Sequence, residues 1–345
     1  MTVAMSALAK TAPAPGLSMI DAPVPEVGPD DVLIRVRRTG ICGTDLHIWN
    51  WDAWASKTIP VPMIVGHEFA GEIVEVGAGV TRPLRAGQRV SGEGHIVDLN
   101  SSASRAGRFH LDPHTVGLGV KRNGAFADYV VLPAFNVVPL PDDVSYDIGA
   151  MLDPFGNAMH AAQQFDLLGE DVLVTGAGPI GVMAAAIARA AGARSVVITD
   201  IADKRLELAA RMADVRPVNV ARESLEDVMA REGVEDGFGV ALEMSGAPAA
   251  FDQAVDALAM GGKLAMLGLP TQSMEVAWSR IILKALTIKG VYGREMFETW
   301  RKMFGLLHSG FALERLITHK MAACDFRCGF EAALSGEAGK VILKW

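Results

Sequence analysis

A glycine-rich turn between a buried strand and a helix constrains the fold of this chain more than any other feature. The turn is Gly176-Ala-Gly-Pro-Ile-Gly181, and the apolar run Asp171–Thr175 precedes it. The residues that follow, Pro179–Ala191, are dense in alanine and have the character of a helix. A buried strand, a turn of this kind and a helix together begin a βαβ unit, whose strands lie parallel in one sheet.

The same alternation of strands and helices continues to about residue 290. The pattern predicts further strands at residues 195–199, 218–220, 239–244, 263–268 and 286–290. It predicts further helices at residues 204–212, 223–231 and 249–260. An alternation of this length is typical of an α/β fold with a doubly wound parallel sheet.

The first 150 residues have a different character. Asp31–Arg37 and Gly71–Gly77 alternate with period two, and prolines and glycines separate such short runs. This pattern predicts a rolled antiparallel β domain. The last fifty residues hold an amphipathic helix at 296–307 and a strand at 340–344, which we expect to return to the first domain. The predicted division is therefore 1–153, 154–294 and 295–345.

Composition agrees with a two-domain globular protein and excludes several classes. Of the 345 residues 50% are hydrophobic and 21% charged, so the chain can bury a large core. The net charge of −8, without a basic cluster, argues against nucleic-acid and anionic-membrane partners. No apolar run reaches the ~20 residues of a membrane span, and the N-terminal residues do not resemble a signal peptide. With three cysteines, a reducing cytoplasmic location is expected.

The glycine turn is a candidate dinucleotide site. Gly176 permits a tight turn, Gly178 lets the backbone approach a diphosphate, and Gly181 lets the helix pack closely on the sheet. Asp200 ends the next strand, 19 residues after Gly181, where an acid can accept hydrogen bonds from the adenosine ribose. This favours NAD over NADP, although Arg205 is a possible phosphate ligand. The alternatives are an ordinary strand–helix turn and a helix-capping role for Asp200.

Two glycine-rich segments carry a candidate metal site, Cys42-Gly-Thr-Asp-Leu-His47 and Gly66-His-Glu-Phe-Ala-Gly71. Zinc binds thiolate and imidazole readily, and catalytic zinc sites combine three protein ligands with an open position. Cys42 or His67 alone would more often be a buried structural residue, but their joint occurrence favours metal binding. Cys324 and Cys328 are poor candidates for a second thiolate, so an oxygen ligand is expected. Glu68 is the first candidate for it and Asp153 the second.

These segments and several others resemble those of a known family. The segment Gly66–Val80 is similar to the zinc signature of the medium-chain alcohol dehydrogenase superfamily. Three longer strings, Asp153–Ala158, Glu243–Pro248 and Tyr292–Trp300, resemble the L-threonine 3-dehydrogenase branch. Together with the glycine turn, these matches cover essentially the whole chain. The resemblance implies a Rossmann domain, a GroES-like β-rich catalytic domain and a homotetramer.

The resemblance also implies roles for the matched positions. Cys42, His67 and Glu68 would hold a catalytic zinc ion, and Thr44 and His47 would relay a proton. Asp153 would approach the zinc directly or through water, or support the relay. The residues that would line NAD are Gly176, Gly178, Ile180, Gly181, Asp200, Arg205, Leu267, Gly268, Leu269, Val291 and Tyr292.

The implied reaction is oxidation of L-threonine by NAD to 2-amino-3-ketobutyrate. Arg294 and Glu295 could bind the carboxylate and ammonium groups of the substrate, but a helix cap and a surface charge are the more common roles at such positions. The nearest alternative is a polyol or 2,3-butanediol dehydrogenase of the same superfamily. A nucleotide-binding relative without activity is a remote alternative, because such proteins lose the metal ligands that are retained here.

The chain departs from the resemblance in one segment. Relatives usually carry four zinc-binding cysteines in a lobe, and the matching positions here are Asp98, Ser101, Ser104 and Asp112. Neutral hydroxyl groups bind zinc weakly compared with thiolates. We therefore expect no structural zinc, one zinc ion per chain, and a 94–115 loop that is mobile or held by packing.

Overall fold

The computed structural model describes residues 4–270 and 273–345. These residues divide into unit 1, which runs to Pro154 and resumes with Ile317–Trp345, and unit 2, Phe155–Leu316. The strands are β1 Ala4–Lys10, β2 Ser18–Pro23, β3 Asp31–Gly40, β4 Met63–Ile64, β5 Glu68–Val76, β6 Arg89–Gly92, β7 His95–Ile96, β8 Val116–Gly117, β9 Tyr129–Pro133, β10 Val137–Pro139, β11 Asp171–Thr175, β12 Ser195–Asp200, β13 Arg216–Asn219, β14 Phe238–Glu243, β15 Leu258–Met266, β16 Thr287–Gly290, β17 Ile317–Ala322 and β18 Lys340–Lys344.

Among the described residues, the helices of unit 1 are on average shorter than those of unit 2. They are α1 Gly43–Asn50, α2 Ala53–Thr58, α3 Ser102–Arg105, α4 Tyr146–Gly149, α5 Leu152–Ala162, α6 Pro179–Ala190, α7 Asp203–Met212, α8 Leu225–Glu232, α9 Pro248–Ala257, α10 Trp278–Leu283, α11 Glu298–His308 and α12 Phe326–Leu334. None of them has the length and apolar character that a membrane crossing requires.

Unit 2 contains a six-stranded parallel sheet in the order β13-β12-β11-β14-β15-β16. Its central strand β11 buries Val172, Leu173 and Val174 completely. Helix α6 is buried along most of its length, because its alanines are small enough for close packing on the sheet. The predicted doubly wound parallel sheet is confirmed.

Most predicted elements of unit 2 occur within a few residues of their predicted bounds, and one boundary was wrong. The predicted helix at 249–260 ends at Ala257, and β15 begins at the next residue. Leu258 pairs with Phe238 on β14, so the helix ends three residues earlier and the strand begins five residues earlier than the sequence pattern predicts. Helix α10 was not predicted, since six residues give too short a pattern.

Unit 1 is rich in β structure, as predicted. Its largest sheet has the order β10-β6-β5-β3-β18-β17, and β9 also pairs with β3. Strands β3, β5, β6, β9 and β10 pair antiparallel and enclose buried side chains, among them Ile34, Phe69 and Val90. A smaller sheet has the order β2-β1-β4.

The C-terminal segment divides between the two units. Residues 295–316 group with unit 2, whereas the sequence predicts a return to the first domain from residue 295. The physical reason is burial, since α11 buries Trp300 and Met303 and the ring of Phe311 stacks on Phe155. From Ile317 onward the chain belongs to unit 1, where β18 pairs with the end of β3.

Candidate active site

The candidate metal ligands are brought together by the register of two strands. Gly40 at the end of β3 lies opposite Glu68 at the start of β5, so the residues just beyond each strand end become neighbours. Cys42 precedes α1 as its N-cap, and His67 precedes Glu68. One ligand atom from each of Cys42, His67 and Glu68 lies within 4.8 Å of the other two.

This donor set fits a zinc ion. Within the described residues, Nδ1 of His67 and Oε1 of Glu68 are buried without a hydrogen-bond partner, and Oε2 of Glu68 contacts Nζ of Lys340. A buried polar atom without a partner costs free energy, and a bound cation removes that cost. Burial opposes a charged imidazole, but the neighbouring Cys42, Asp45 and Asp153 hold the pKa of His67 well above its usual range in the metal-free protein.

Asp45 is a buried carboxylate beside these ligands that sequence reasoning did not single out. Its Oδ2 accepts a hydrogen bond of 2.9 Å from the backbone N–H of Cys42, and its Oδ1 lies 3.9 Å from Nδ1 of His67. Burial raises its pKa to about 6. An acid three residues after a helix N-cap is the available sequence signal for such a contact.

Lys340 is a buried cation in the same cluster, and sequence reasoning missed it too. Its side chain is 3% exposed, and Nζ contacts Oε2 of Glu68 and donates a 2.8 Å hydrogen bond to the carbonyl of Ile41. Burial lowers the pKa of Lys340, but Glu68 and Cys42 outweigh this effect and raise it. A side chain at Gly40 would clash with Glu68 and Lys340. We call Cys42, Asp45, His67, Glu68 and Lys340 the metal cluster.

The predicted relay residues lie on one helix. Thr44 and His47 are three residues apart on α1, so they share a helix face. Oγ1 of Thr44 lies 4.0 Å from Sγ of Cys42. Nδ1 of His47 is 2.5 Å from Oδ2 of Asp52, and the imidazole is half exposed. The structure therefore places Thr44 beside the metal cluster and pairs His47 with a carboxylate.

Asp153 lies in the first turn of α5, near His67. Its side chain is buried, and its charge contributes to the raised pKa of His67. A Cβ atom at Gly94 would lie 3.8 Å from Oδ1 of Asp153 and 3.7 Å from Cβ of His67. The absence of a side chain at Gly94 therefore leaves space beside both residues.

The glycine turn of unit 2 has the geometry of a diphosphate site. Gly176 has a φ of 93°, which favours glycine, and a side chain there would meet Ser245. A Cβ at Gly181 would clash with the carbonyl of Gly176, whereas Gly178, the N-cap of α6, faces open space. The start of α6 is thus accessible to an anion.

Asp200 holds the neighbouring strand end to this turn. Its Oδ2 accepts a 2.7 Å hydrogen bond from the N–H of Ala177, and its Oδ1 accepts from Ile201 and Ala202. Arg205 lies 3.8 Å from the same carboxylate. The guanidinium of Arg205 therefore lies near an acidic group, which makes it less available to bind the 2′-phosphate of NADP.

The remaining predicted cofactor residues lie on α6 and at the carboxyl ends of β15 and β16. Leu269 and Tyr292 are exposed, and the partly exposed residues are Ile180, Leu267, Gly268 and Val291. The sequence did not predict a role for the side chain of Glu243. This residue is 1% exposed and accepts hydrogen bonds from the N–H groups of Ser245 and Gly246. Glu243 therefore organises the loop that meets the glycine turn at Ser245.

Arg294 and Glu295 are engaged within unit 2. Arg294 is 1% exposed, its guanidinium lies 3.4 Å from Oδ1 of Asn157, and its Cδ occupies the space beside Gly156. Glu295 accepts a 3.0 Å hydrogen bond from Gln163. These contacts favour a packing role over substrate capture.

The segment with Asp98, Ser101, Ser104 and Asp112, which we call the 98–112 lobe, is joined by its own hydrogen bonds. The buried carboxylate of Asp112 accepts a 2.8 Å hydrogen bond from the N–H of Asp98 and a 3.2 Å bond from that of His114. The hydroxyl of Ser101 donates to Ser104 and accepts from its N–H. Of the two expectations for this loop, the structure supports one held by internal contacts.

Comparisons with known proteins agree with both units. The family "Alcohol dehydrogenase GroES-like domain" matches residues 28–142, and the family "Zinc-binding dehydrogenase" matches residues 179–309. The chain is 62% identical to an L-threonine 3-dehydrogenase of Ruegeria pomeroyi over 99% of this chain and 100% of the relative. It is 58% identical to an L-threonine 3-dehydrogenase of Shewanella loihica with the same coverage.

Solved structures show the same fold. A 2R,3R-butanediol dehydrogenase from Bacillus subtilis superposes with a TM-score of 0.89 at 27% identity, covering 99% of both chains. A protein of Escherichia coli CFT073, described as a short chain alcohol dehydrogenase complexed with NADH, has a TM-score of 0.90 at 26% identity and the same coverage. The chain belongs to the zinc-dependent medium-chain alcohol dehydrogenase superfamily, in its L-threonine 3-dehydrogenase branch.

Proposed function

We propose that this chain oxidises the secondary alcohol of L-threonine with NAD, which yields 2-amino-3-ketobutyrate. The observation that carries the proposal is the clustering of Cys42, His67 and Glu68 within 4.8 Å, with buried polar atoms that lack partners in the described structure. The 62% identity to a full-length L-threonine 3-dehydrogenase supports this substrate.

Cys42, His67 and Glu68 would hold the zinc ion, with Asp153 as an additional carboxylate that binds directly or through water. Zinc supplies a Lewis acid that lowers the pKa of a substrate hydroxyl, and NAD accepts the hydride. Asp45 fixes the N–H of Cys42, and Lys340 neutralises part of the negative charge of the cluster. These two residues position the ligands.

The hydroxyl proton leaves the substrate separately from the hydride. Thr44 can accept and donate this proton because its hydroxyl does both. His47 lies three residues along the same helix face and can pass the proton to water near neutral pH. Replacing His47 by alanine should reduce turnover and leave the zinc content unchanged.

In unit 2, Gly176, Gly178 and Gly181 would bind the diphosphate of NAD, and Asp200 would accept from the ribose. The carboxylate at position 200 repels a 2′-phosphate, which favours NAD over NADP. Ile180, Arg205, Leu267, Gly268, Leu269, Val291 and Tyr292 complete the proposed cofactor site.

A substrate panel tests the proposed function. We expect NADH formation with L-threonine to exceed that with sorbitol and 2,3-butanediol, and NAD to be preferred over NADP. The likeness to a butanediol dehydrogenase makes 2,3-butanediol the alternative substrate to include. Faster oxidation of butanediol or sorbitol than of L-threonine would overturn the proposed substrate.

We also propose a cytoplasmic homo-oligomer, with four subunits by resemblance. Support comes from exposed apolar side chains of unit 2 in and near α10 and β16, namely Trp278, Ile282, Leu283 and Tyr292. An exposed apolar surface near a sheet edge is typical of subunit contacts. Light scattering of the purified protein measures the subunit number, and a monomer would contradict the proposal.

A further inference from the structure

His47 carries a hydrogen bond that the proposed relay does not use. Its Nδ1 lies 2.5 Å from Oδ2 of Asp52, and its ring meets the edge of Trp54 at a centroid distance of 6.0 Å. Both partners lie in the short segment that joins α1 to α2 and begins α2. The imidazole is therefore restrained although its side chain is 50% exposed.

Asp52 itself is held in place by the backbone. It is the N-cap of α2, and its Oδ1 accepts hydrogen bonds of 3.0 Å from the N–H of Trp54 and 2.9 Å from that of Ala55. Burial raises the pKa of Asp52, but the hydrogen bonds from Ala55 and His47 outweigh it and hold the pKa below its usual range. One oxygen thus caps the helix, and the other remains for His47.

The charged groups around His47 leave Asp52 as its counterion. Helix α1 packs against α2 and α12. The other titratable residues on these three helices are Asp45, Lys57, Arg327, Cys328 and Glu331. Among the described residues, Asp52 is the carboxylate that hydrogen-bonds to the imidazole of His47.

We propose that Asp52 is a positioning residue for the proton relay, which holds Nδ1 of His47 protonated and stabilises the imidazolium that forms when Nε2 accepts the proton. A carboxylate only accepts hydrogen bonds, so the bond to Nδ1 assigns the proton to that nitrogen and leaves Nε2 as the acceptor. This inference rests on the proposed function, because it deepens the role of His47 there.

The proton balance is complete without a further reactant. The substrate C–H bond breaks and its hydrogen leaves with the electron pair to NAD. The hydroxyl proton leaves separately, reaches Nε2 of His47 by way of Thr44, and is then released to water. Asp52 remains ionised throughout and transfers no proton.

Two substitutions separate the charge of Asp52 from its structural role. D52N keeps an N-cap and a hydrogen-bond acceptor but removes the negative charge. D52S also keeps an N-cap, but its shorter side chain does not reach His47. The two variants therefore preserve α2 while changing the contact with the imidazole in two different ways.

The direct test is an NMR titration of the zinc-loaded protein with ¹³C-labelled histidine, in which an H47N variant identifies the signal of His47 among the 8 histidines. Because D52N removes a negative charge, the pKa of His47 should fall by about half a pH unit, the size typical of exposed ion pairs. An unchanged pKa of His47 in D52N would overturn the proposal.

Kinetics provide the second readout. In D52N the limb of the kcat profile that reports His47 should move to lower pH by the same amount as the NMR pKa. In D52S kcat should fall roughly tenfold, which is part of the ~100- to 10,000-fold rate increase that general acid–base catalysis typically provides. The KM for L-threonine and the zinc content should not change. In an H47N background, neither substitution should change kcat further.

The outcomes separate this inference from the proposed function. If the unmodified protein does not oxidise L-threonine, the proposed function fails and the relay role of Asp52 fails with it. If it oxidises L-threonine but D52S lowers kcat equally in the H47N background, only the inference about Asp52 is wrong.

Discussion

The metal cluster and the 98–112 lobe are two groups of polar residues in unit 1, and both include buried side chains. They differ in whether the buried polar atoms have hydrogen-bond partners. In the described structure of the metal cluster, Glu68 and His67 keep buried polar atoms without hydrogen-bond partners. In the lobe, the carboxylate of Asp112 accepts two backbone hydrogen bonds, and the Ser101 hydroxyl pairs with Ser104.

The difference shows which cluster needs a cation. Buried polar atoms without partners destabilise a protein by about 1–3 kcal/mol each, and a cation at the metal cluster would remove that cost. In the lobe, the Asp112 carboxylate and the Ser101 hydroxyl already have hydrogen-bond partners, so a cation bound by them would have to replace these bonds. We therefore expect one zinc ion per chain, at Cys42, His67 and Glu68.

The largest effect is expected from removing the thiolate. In C42S a neutral hydroxyl replaces the softest ligand, so zinc affinity should fall by more than ~100-fold, beyond the loss typical of residues that only support a ligand. Turnover should fall with it. Metal analysis after dialysis, together with the NADH assay, measures both.

Cys324 and Cys328 provide the matched control. Both are exposed, so C324S and C328S should keep the zinc content and the activity of the unmodified protein. Zinc retention by C42S, or zinc loss in either control variant, would contradict the assignment of the metal cluster.

The second effect concerns the buried ion pair. In K340M the Glu68 carboxylate loses its buried counterion, and the free energy of unfolding should fall by about 3–5 kcal/mol in the metal-free protein. The loss should be smaller in the zinc-loaded protein, because zinc also compensates the charge of Glu68. Urea unfolding of both forms measures the difference.

An exposed ion pair is the comparison for K340M. Lys320 pairs with Asp147 and is 59% exposed, so K320M should cost less than about 1 kcal/mol with or without zinc. An equal loss in the two variants, or a K340M loss that does not depend on zinc, would mean that Lys340 does not serve the metal cluster.

The sequence predicted the parts of this arrangement that depend on local patterns. Strand β11 of unit 2 and strand β18 of unit 1 are buried and read as apolar runs, so both were predicted with the bounds that the structure has. The candidate ligands Cys42, His67 and Glu68 were found because their residue types and glycine-rich surroundings suit zinc.

The sequence did not predict contacts that depend on tertiary pairing. Lys340 reaches Glu68 because β18 pairs with β3, and no local period contains that information. Asp52 is a recognisable helix cap, but its contact with His47 depends on the left-handed turn at Trp51, where φ is 52°. Glu243 resembles an ordinary strand end until its loop is folded.

The third effect concerns the lobe. D112A removes an acceptor of two backbone hydrogen bonds, so the free energy of unfolding should fall by about 1–3 kcal/mol while zinc content stays constant. D98A is the matched control, because Asp98 is exposed and its carboxylate accepts from the N–H of Asn100. A larger loss in D98A than in D112A would contradict the central role of Asp112.

The lobe also predicts a pH dependence. Burial raises the pKa of Asp112, but hydrogen bonds from Asp98 and His114 outweigh this and lower it. The stabilisation should therefore be present above the ordinary aspartate pKa of ~3.9 and be lost as pH falls through the lower folded-state value. D112N should be less sensitive than the unmodified protein to pH in this range, as measured by urea unfolding.

The smallest effect is expected at the lobe when zinc is removed. Chelation should raise amide hydrogen exchange at residues 40–47 and 66–69, because the metal cluster then again holds unpaired buried atoms. Exchange at Asp98 and Ser104, whose N–H groups donate to side chains of the lobe, should remain unchanged. Since the Asp112 carboxylate and the Ser101 hydroxyl already have hydrogen-bond partners without a cation, metal analysis before chelation should give one zinc ion per chain. Two zinc ions, or faster exchange at Asp98 and Ser104 after chelation, would show that the two clusters depend on metal alike.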